Sequence, residues 1–156
     1  MEEATLANLE ELMRIERQCF TGEAFTKGQI ATLLVSPDVI GLLARIDGEV
    51  AGFIIGGIQS HALTKTGHVY TIDVAVKHRR RRVGVTLLNE MEEAFSKRGA
   101  KTSVLEVRVD NQAARQLYKK QGYLEAEELH NYYSKGIHGL RLAKQLESKR
   151  SPFVRP

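Results

Sequence analysis

Cysteine occurs once in these 156 residues, tryptophan not at all, and no apolar run approaches the roughly 20 residues needed to cross a bilayer. A single thiol, Cys19, has no partner for an internal disulfide, so a reducing compartment is expected, the cytoplasm above all. The acidic, apolar-alternating start lacks the pattern of a signal peptide, and no membrane partner is expected. Walker-type and dinucleotide glycine fingerprints are missing. The five histidines, at positions 61, 68, 78, 130 and 138, show neither H-E-x-x-H nor another paired ligand spacing, so no metal is expected.

What is present is 42% hydrophobic and 27% charged residues, the balance of a soluble globular protein. The length suits one domain with a real core, expected over residues 1–147, with 148–156 as a disordered basic tail. Net charge is +4, but the excess is local, in residues 77–82 and in the tail. Such a charge permits nucleic acid as a partner. The arginines lack interleaved aromatics and sit in no nucleic-acid motif, so that role is not expected to be the main one.

Taken in order, helical and strand patterns alternate, which predicts a mixed α/β layer structure. Residues 5–19 carry Leu6, Leu9, Leu12, Met13 and Ile15 at helical spacing, with Thr5 as N-cap and Asn8 where a capping box has Glu. After a loop over 20–26, a second helix is predicted over 27–35, ending before Pro37. Runs 39–46 and 49–58 flank Asp47-Gly48 and predict a hairpin. Gly56 and Gly57 in the second run predict a bulge or a close backbone neighbour. A loop over 61–67 then leads into a strand over 68–76. A helix over 84–98, a strand over 103–109, a helix over 112–121 capped by Asn111 and Gly122, and two closing strands complete the chain.

Residues 74–88, VAVKHRRRRVGVTLL, organise the rest. A strand ends, six basic residues follow, and a glycine leads into an amphipathic helix bearing Leu87, Leu88, Met91 and Phe95 on one face. The first turn of a helix has backbone N–H groups without partners and a dipole that favours negative charge. Arginines ahead of it add forked donors suited to phosphate. The stretch reads as a pyrophosphate cradle.

This stretch is followed by a second block, Asn111, Ala114, Leu117, Tyr118, Gly122 and Tyr123, with the strand Leu105-Glu106-Val107-Arg108 between them. In this order and spacing the chain resembles the GNAT family of N-acetyltransferases, over about residues 70–123. The resemblance implies a mixed, mostly antiparallel central sheet, splayed in the middle and flanked by helices. It implies acetyl-CoA as cofactor, its pyrophosphate on Arg81, Arg82, Val83, Gly84, Val85 and Thr86. The strand end at Val74, Ala75 and Val76, with Asn111, Ala114 and Tyr118, would complete the cofactor site. Thr86 departs from the family's Gly or Ala and is expected to crowd the loop; Arg82 stands where Gly is frequent.

Within the family the likeness is to enzymes that acetylate protein N-termini, the ribosomal-protein alanine acetyltransferase type and its relatives. The L-E-V-R strand and the segment 131–136, NYYSKG, carry it. It implies Glu106 as general base, Tyr118 as general acid, and Tyr132 and Tyr133 in the peptide groove. Tyr70 falls where some relatives place a catalytic residue. Glu23 and Phe25, in the first loop, are candidate substrate contacts, although that loop lacks the subgroup's usual proline, and the usual first strand is truncated or absent. The partner implied is a protein or peptide N-terminus, and the protein is expected to be a monomer or homodimer.

The chemistry is consistent with those roles. An α-amino group has a pKa of about 7.7–8.0, so a fair fraction is neutral near pH 7, and one carboxylate is an adequate base. Lysine, at about 10.4, demands more. Alternation puts Glu106 and Arg108 on one side of their strand, leaving open a plain Arg108–Glu106 ion pair. Tyr118 can be a thiolate-protonating acid or a packed helix tyrosine. Tyr70 can be a strand aromatic, Tyr132 and Tyr133 edge packing, and Glu23 a solvated charge. A backbone N–H among residues 74–76 is the expected oxyanion donor. Cys19 is expected to be buried and inert. Acetylation of lysine or of a small amine, and a non-catalytic module binding CoA or nucleic acid, are the alternatives.

Overall fold

The computed structural model describes residues 1–20, 22 and 24–147, so Glu23 and the tail 148–156 lie outside the described residues. The chain runs β1 (Glu2–Glu3), α1 (Leu9–Cys19), α2 (Lys27–Leu34), β2 (Val39–Ile46), β3 (Glu49–His61), β4 (Thr64–Val74), α3 (Val83–Lys97), β5 (Thr102–Arg108), α4 (Gln112–Lys120), β6 (Leu124–Ser134) and β7 (Ile137–Gln145). The strands form one sheet in the order β1-β2-β3-β4-β5-β7-β6. Neighbours are antiparallel except β4 and β5, which α3 connects as a parallel pair. That ladder spans only Thr66–His68 against Thr102–Val104, and beyond it the sheet opens into a fork.

Local chemistry sets the helix starts. Thr5 N–H donates to Asn8 Oδ1 at 3.0 Å, so Asn8 does the capping-box work expected of a glutamate, at the head of a single 3-10 turn before α1. Thr26 and Gln29 form a reciprocal box at α2. The first strand is present but only two residues long.

One stretch expected as a loop is not one. Residues 61–67 belong to a long β3–β4 hairpin that turns at Ala62-Leu63, and β6 runs through Tyr132 and Tyr133 as a closing strand. The stretch 61–67 is polar and largely exposed, and polarity alone does not separate an exposed strand from a loop. No helix among the described residues is long and apolar enough to cross a membrane.

The sheet is covered on both faces. On one, Leu87, Leu88, Met91 and Phe95 of α3 pack on Ile54, Val69, Leu105 and Val107. On the other, Leu12, Met13 and Ile15 of α1 and Ile30 of α2 pack on Leu43, Phe53 and Ile55. Each such fully buried side chain contributes about 1.5–3 kcal/mol.

A bulge changes the parity of β4. Ile55 pairs with Thr71 and Gly56 with Val69, so the extra residue is Tyr70, in the strand opposite the glycines that signalled it. Val69, Ile72 and Val74 pack toward α3, while Tyr70 joins the α1 side, where Thr71 reaches Glu16 of α1. The glycines yield space to rings: a Cβ at Gly57 would lie 2.6 Å from the Tyr70 hydroxyl.

Candidate active site at the fork between β4 and β5

Leu105 and Val107 point into the core beneath α3, so Glu106, between them, points to the opposite face. There its Oε1 lies 2.7 Å from His68 Nε2, bridging the two strands where their ladder stops. Its Oε2 accepts from Arg141 Nε of β7 at 3.1 Å. The open Arg108 pairing is thereby decided: Arg108 turns to Asp110 at 2.8 Å and Glu106 takes other partners. Partial burial pushes the Glu106 carboxyl up, but the His68 and Arg141 contacts outweigh it and hold the group below its ordinary range. It is a carboxylate at neutral pH.

His68 is the residue that sequence reasoning missed. Its Nδ1 lies 3.2 Å from the Gln59 amide, an N–H donor, and its Nε2 faces a carboxylate. Both ring nitrogens are thus engaged, and His68 braces the Glu106 carboxylate. The signal available was a histidine two residues before Tyr70 in a strand pattern, but histidine was weighed only as a metal ligand.

Of the candidate tyrosines, Tyr132 lies beside this carboxylate. Burial first, then the negative charge of Glu106, pushes the Tyr132 phenol up. Tyr132 and Tyr133 pack edge-to-face with centroids 5.0 Å apart, and both lie against Gly139. Tyr118 is buried, and burial, followed by Asp73 and Tyr133, pushes its phenol well above the usual range. It stays protonated at any working pH. Tyr70 packs on His68 with the rings tilted at 47° and centroids 5.0 Å apart, but its hydroxyl lies over Gly57 on the β3 side, turned away from β5.

At the strand end the backbone donors are differently used. Ala75 N–H donates to Ala51 O at 2.8 Å, and Val76 N–H to Gln18 Oε1 at 3.1 Å. By antiparallel parity Val74 faces its N–H and carbonyl away from β3, into the fork. Its carbonyl accepts from Arg79 Nε and from the thiol of Cys19. Cys19 is half-buried rather than fully buried, and burial, then Asp73, pushes its thiol up, which makes it a poor nucleophile.

The basic loop has the geometry of an anion cradle. Arg80 and Arg82 adopt left-handed backbone conformations, φ 65° and 61°, directly ahead of α3. The φ of Arg82 explains why glycine suits this position. Thr86 N–H is the first of the helix to reach back, to Arg82 O, so the N–H groups of Val83, Gly84 and Val85 face the loop. Thr86 does not crowd the loop as expected: its side chain is exposed and donates to Arg82 O at 2.8 Å. A Cβ on Gly84 would meet only Val74, at 3.6 Å, so the protein itself leaves that surface open to a close approach. Asn111 accepts from Ala114 N–H and starts α4, which carries Tyr118. Arg81 and Arg82 are exposed. These residues fit a pyrophosphate at the helix end with a slender arm entering the fork.

Sequence and fold comparisons agree with this geometry. Residues 9–123 match the model of the acetyltransferase (GNAT) family. The chain belongs to that family. Over 113 residues it is 37% identical to an N-alpha-acetyltransferase of Sulfurisphaera tokodaii, covering 67% of this chain and 68% of the relative. The crystal structure of Ard1 from Thermoplasma volcanium superposes with a TM-score of 0.83 at 26% identity, covering 94% of this chain and 96% of that one. Arabidopsis thaliana NAA60 in complex with acetyl-CoA shares the fold, with a TM-score of 0.81 at 18% identity over 93% of this chain and 97% of that one. The acetyltransferase uses acetyl-CoA as its acyl donor, and the expected splayed sheet is the one observed. A separate concavity between α3 and the end of β7, lined by Asn89, Glu92, Lys144 and Leu146, contains none of the candidate residues.

Proposed function

We propose that this acetyltransferase acts on the α-amino group of a protein N-terminus, by direct attack without an acyl-enzyme. The observation that carries the reading is Glu106, a carboxylate fixed at the mouth of the fork by His68 and Arg141, with Tyr132 beside it. Relatives named for N-alpha-acetylation support it.

Bound acetyl-CoA supplies a thioester carbonyl activated toward amines. Arg81, Arg82 and the N–H groups of 83–85 bind its pyrophosphate, and Val74 N–H faces the fork as the oxyanion donor. Glu106, directly or through one water, takes the proton that the attacking amine loses. Tyr118 holds a proton at its phenol oxygen and delivers it to the departing sulfur. Tyr132 and Tyr133 line the peptide side. Tyr70, its hydroxyl over Gly57, acts as a wall behind His68 rather than as an acid or base.

Labelled acetyl-CoA offered to short peptides with free or blocked α-amines tests the proposal. Incorporation is expected only with the free α-amine and to persist when internal lysines are removed. Labelling that survives the α-block would move the substrate to lysine. A second prediction concerns the loop. Arg82→Gly should relieve left-handed strain and stabilise the fold by about 0.5 kcal/mol, while raising the KM for acetyl-CoA a few-fold through the lost charge. Thermal melts and initial rates read the two effects separately.

A further inference from the structure

Two carboxyl groups are buried between α1 and β4, outside the chemistry described above. Glu16 is fully inaccessible and Asp73 is 1% exposed. Thr71 Oγ1 stands 2.6 Å from Asp73 Oδ1 and 3.3 Å from Glu16 Oε1. One hydroxyl hydrogen serves only one of these contacts, so the other is a hydrogen bond only if a carboxyl carries a proton and donates. Two bare carboxylates in this dry site would repel. The second oxygen of Glu16 leaves the cluster: Oε2 accepts from the backbone N–H of Phe25 at 3.1 Å. Phe25 lies between α1 and α2 and packs against the same core as Tyr70. Glu16 is thus a post to which the segment before α2 is tied, and Thr71 and Asp73 brace that post just past the bulge.

We propose that Glu16 and Asp73 form a singly protonated carboxyl pair that holds Phe25 in place as one wall of the peptide groove, and that loss of the shared proton releases it. The assignment of a groove rests on the N-terminal reading above; the tether itself does not.

The surroundings favour the proton. Burial first, then Glu16, pushes the Asp73 carboxyl up to about 9, and Thr71 and Arg79 only partly oppose this. The other groups facing Asp73 are Cys19 of α1 and Tyr118 of α4, both themselves pushed up, while β3 sets Phe53 opposite it. The folded protein holds this proton more tightly than the unfolded chain, whose aspartate titrates near 3.9. The pair's contribution to stability is therefore whole below about pH 4, declines as the pH rises, and is gone above about pH 9.

The chain has no tryptophan, so Phe25→Trp introduces a single emission reporter at the tether. Excited at 295 nm between pH 6 and 10, its emission should shift to the red as the pH passes about 9, with far-ultraviolet circular dichroism unchanged. The same reporter in an Asp73→Asn background should show no shift, because the amide is neutral throughout. In the unlabelled protein the KM for peptide should rise several-fold over the same interval, the KM for acetyl-CoA should hold, and Asp73→Asn should flatten the rise. An emission shift that persists in Asp73→Asn, or none in the parent, overturns the proposal. Should the shift follow the expected pattern while no peptide is acetylated, the tether stands and the N-terminal reading falls.

Discussion

Glu106→Gln should lower kcat for an N-terminal peptide by about 10²–10³-fold while leaving the KM for acetyl-CoA nearly unchanged. The amide keeps the shape of the carboxylate, and its carbonyl can still accept from His68, so the fork stays braced. What disappears is the negative oxygen that takes the amine's proton. Because His68 and Arg141 hold the native carboxyl below its ordinary range, it is ionised throughout the working range. The wild-type rate on the acid side should therefore follow the substrate's own amine, rising toward about pH 8 and then levelling. Steady-state rates across pH, with the variant in parallel, read both effects. A fall in kcat of less than about 3-fold, accompanied by a lower Tm, would reduce Glu106 to a structural ion pair with Arg141.

Gly67→Ala should destabilise the fold by roughly 3 kcal/mol, because the new methyl has nowhere to go. A Cβ there would stand 2.1 Å from the ring of Phe95, itself wholly buried under the sheet. Gly67 lies in the short ladder that joins β4 to β5, one residue before His68, so the collision also loosens the hinge of the fork. Chemical denaturation would measure the loss. Phe95→Leu in the same chain should recover part of it, since a smaller side chain vacates the space the methyl needs. If the two substitutions proved simply additive, the collision with Phe95 would not be the cause.

The elements legible in the sequence are those set by neighbours along the chain. The helices declare themselves by 3.6-residue spacing and capping residues, and the β2–β3 hairpin by Asp47-Gly48, both of which take positive φ. The cradle ahead of α3 is local too: basic residues, a glycine and a helix start within ten positions. The partners of the candidate base are not local. His68 lies 38 residues from Glu106, Arg141 lies 35 away, and Glu16 lies 55 from Thr71. Each is an ordinary polar residue in a pattern that has many, and only strand order selects the one that meets its partner. The limit of a polarity reading shows at 61–67, where exposed strand and loop have the same composition.

By itself the sequence determined the family, the basic loop ahead of a helix start and which residues of β5 share a side with Glu106, because periodicity, capping and turn chemistry act over a few residues and survive in the one-dimensional order. Tertiary structure alone decided what surrounds Glu106. The extra residue, Tyr70, reverses the alternation of β4, so that His68 and Tyr70 and, past the bulge, Thr71 and Asp73 all lie on the face of the sheet opposite α3. Strict period-two alternation would have divided those residues between opposite faces, and a bulge is a property of two strands paired with each other, which neither strand carries alone.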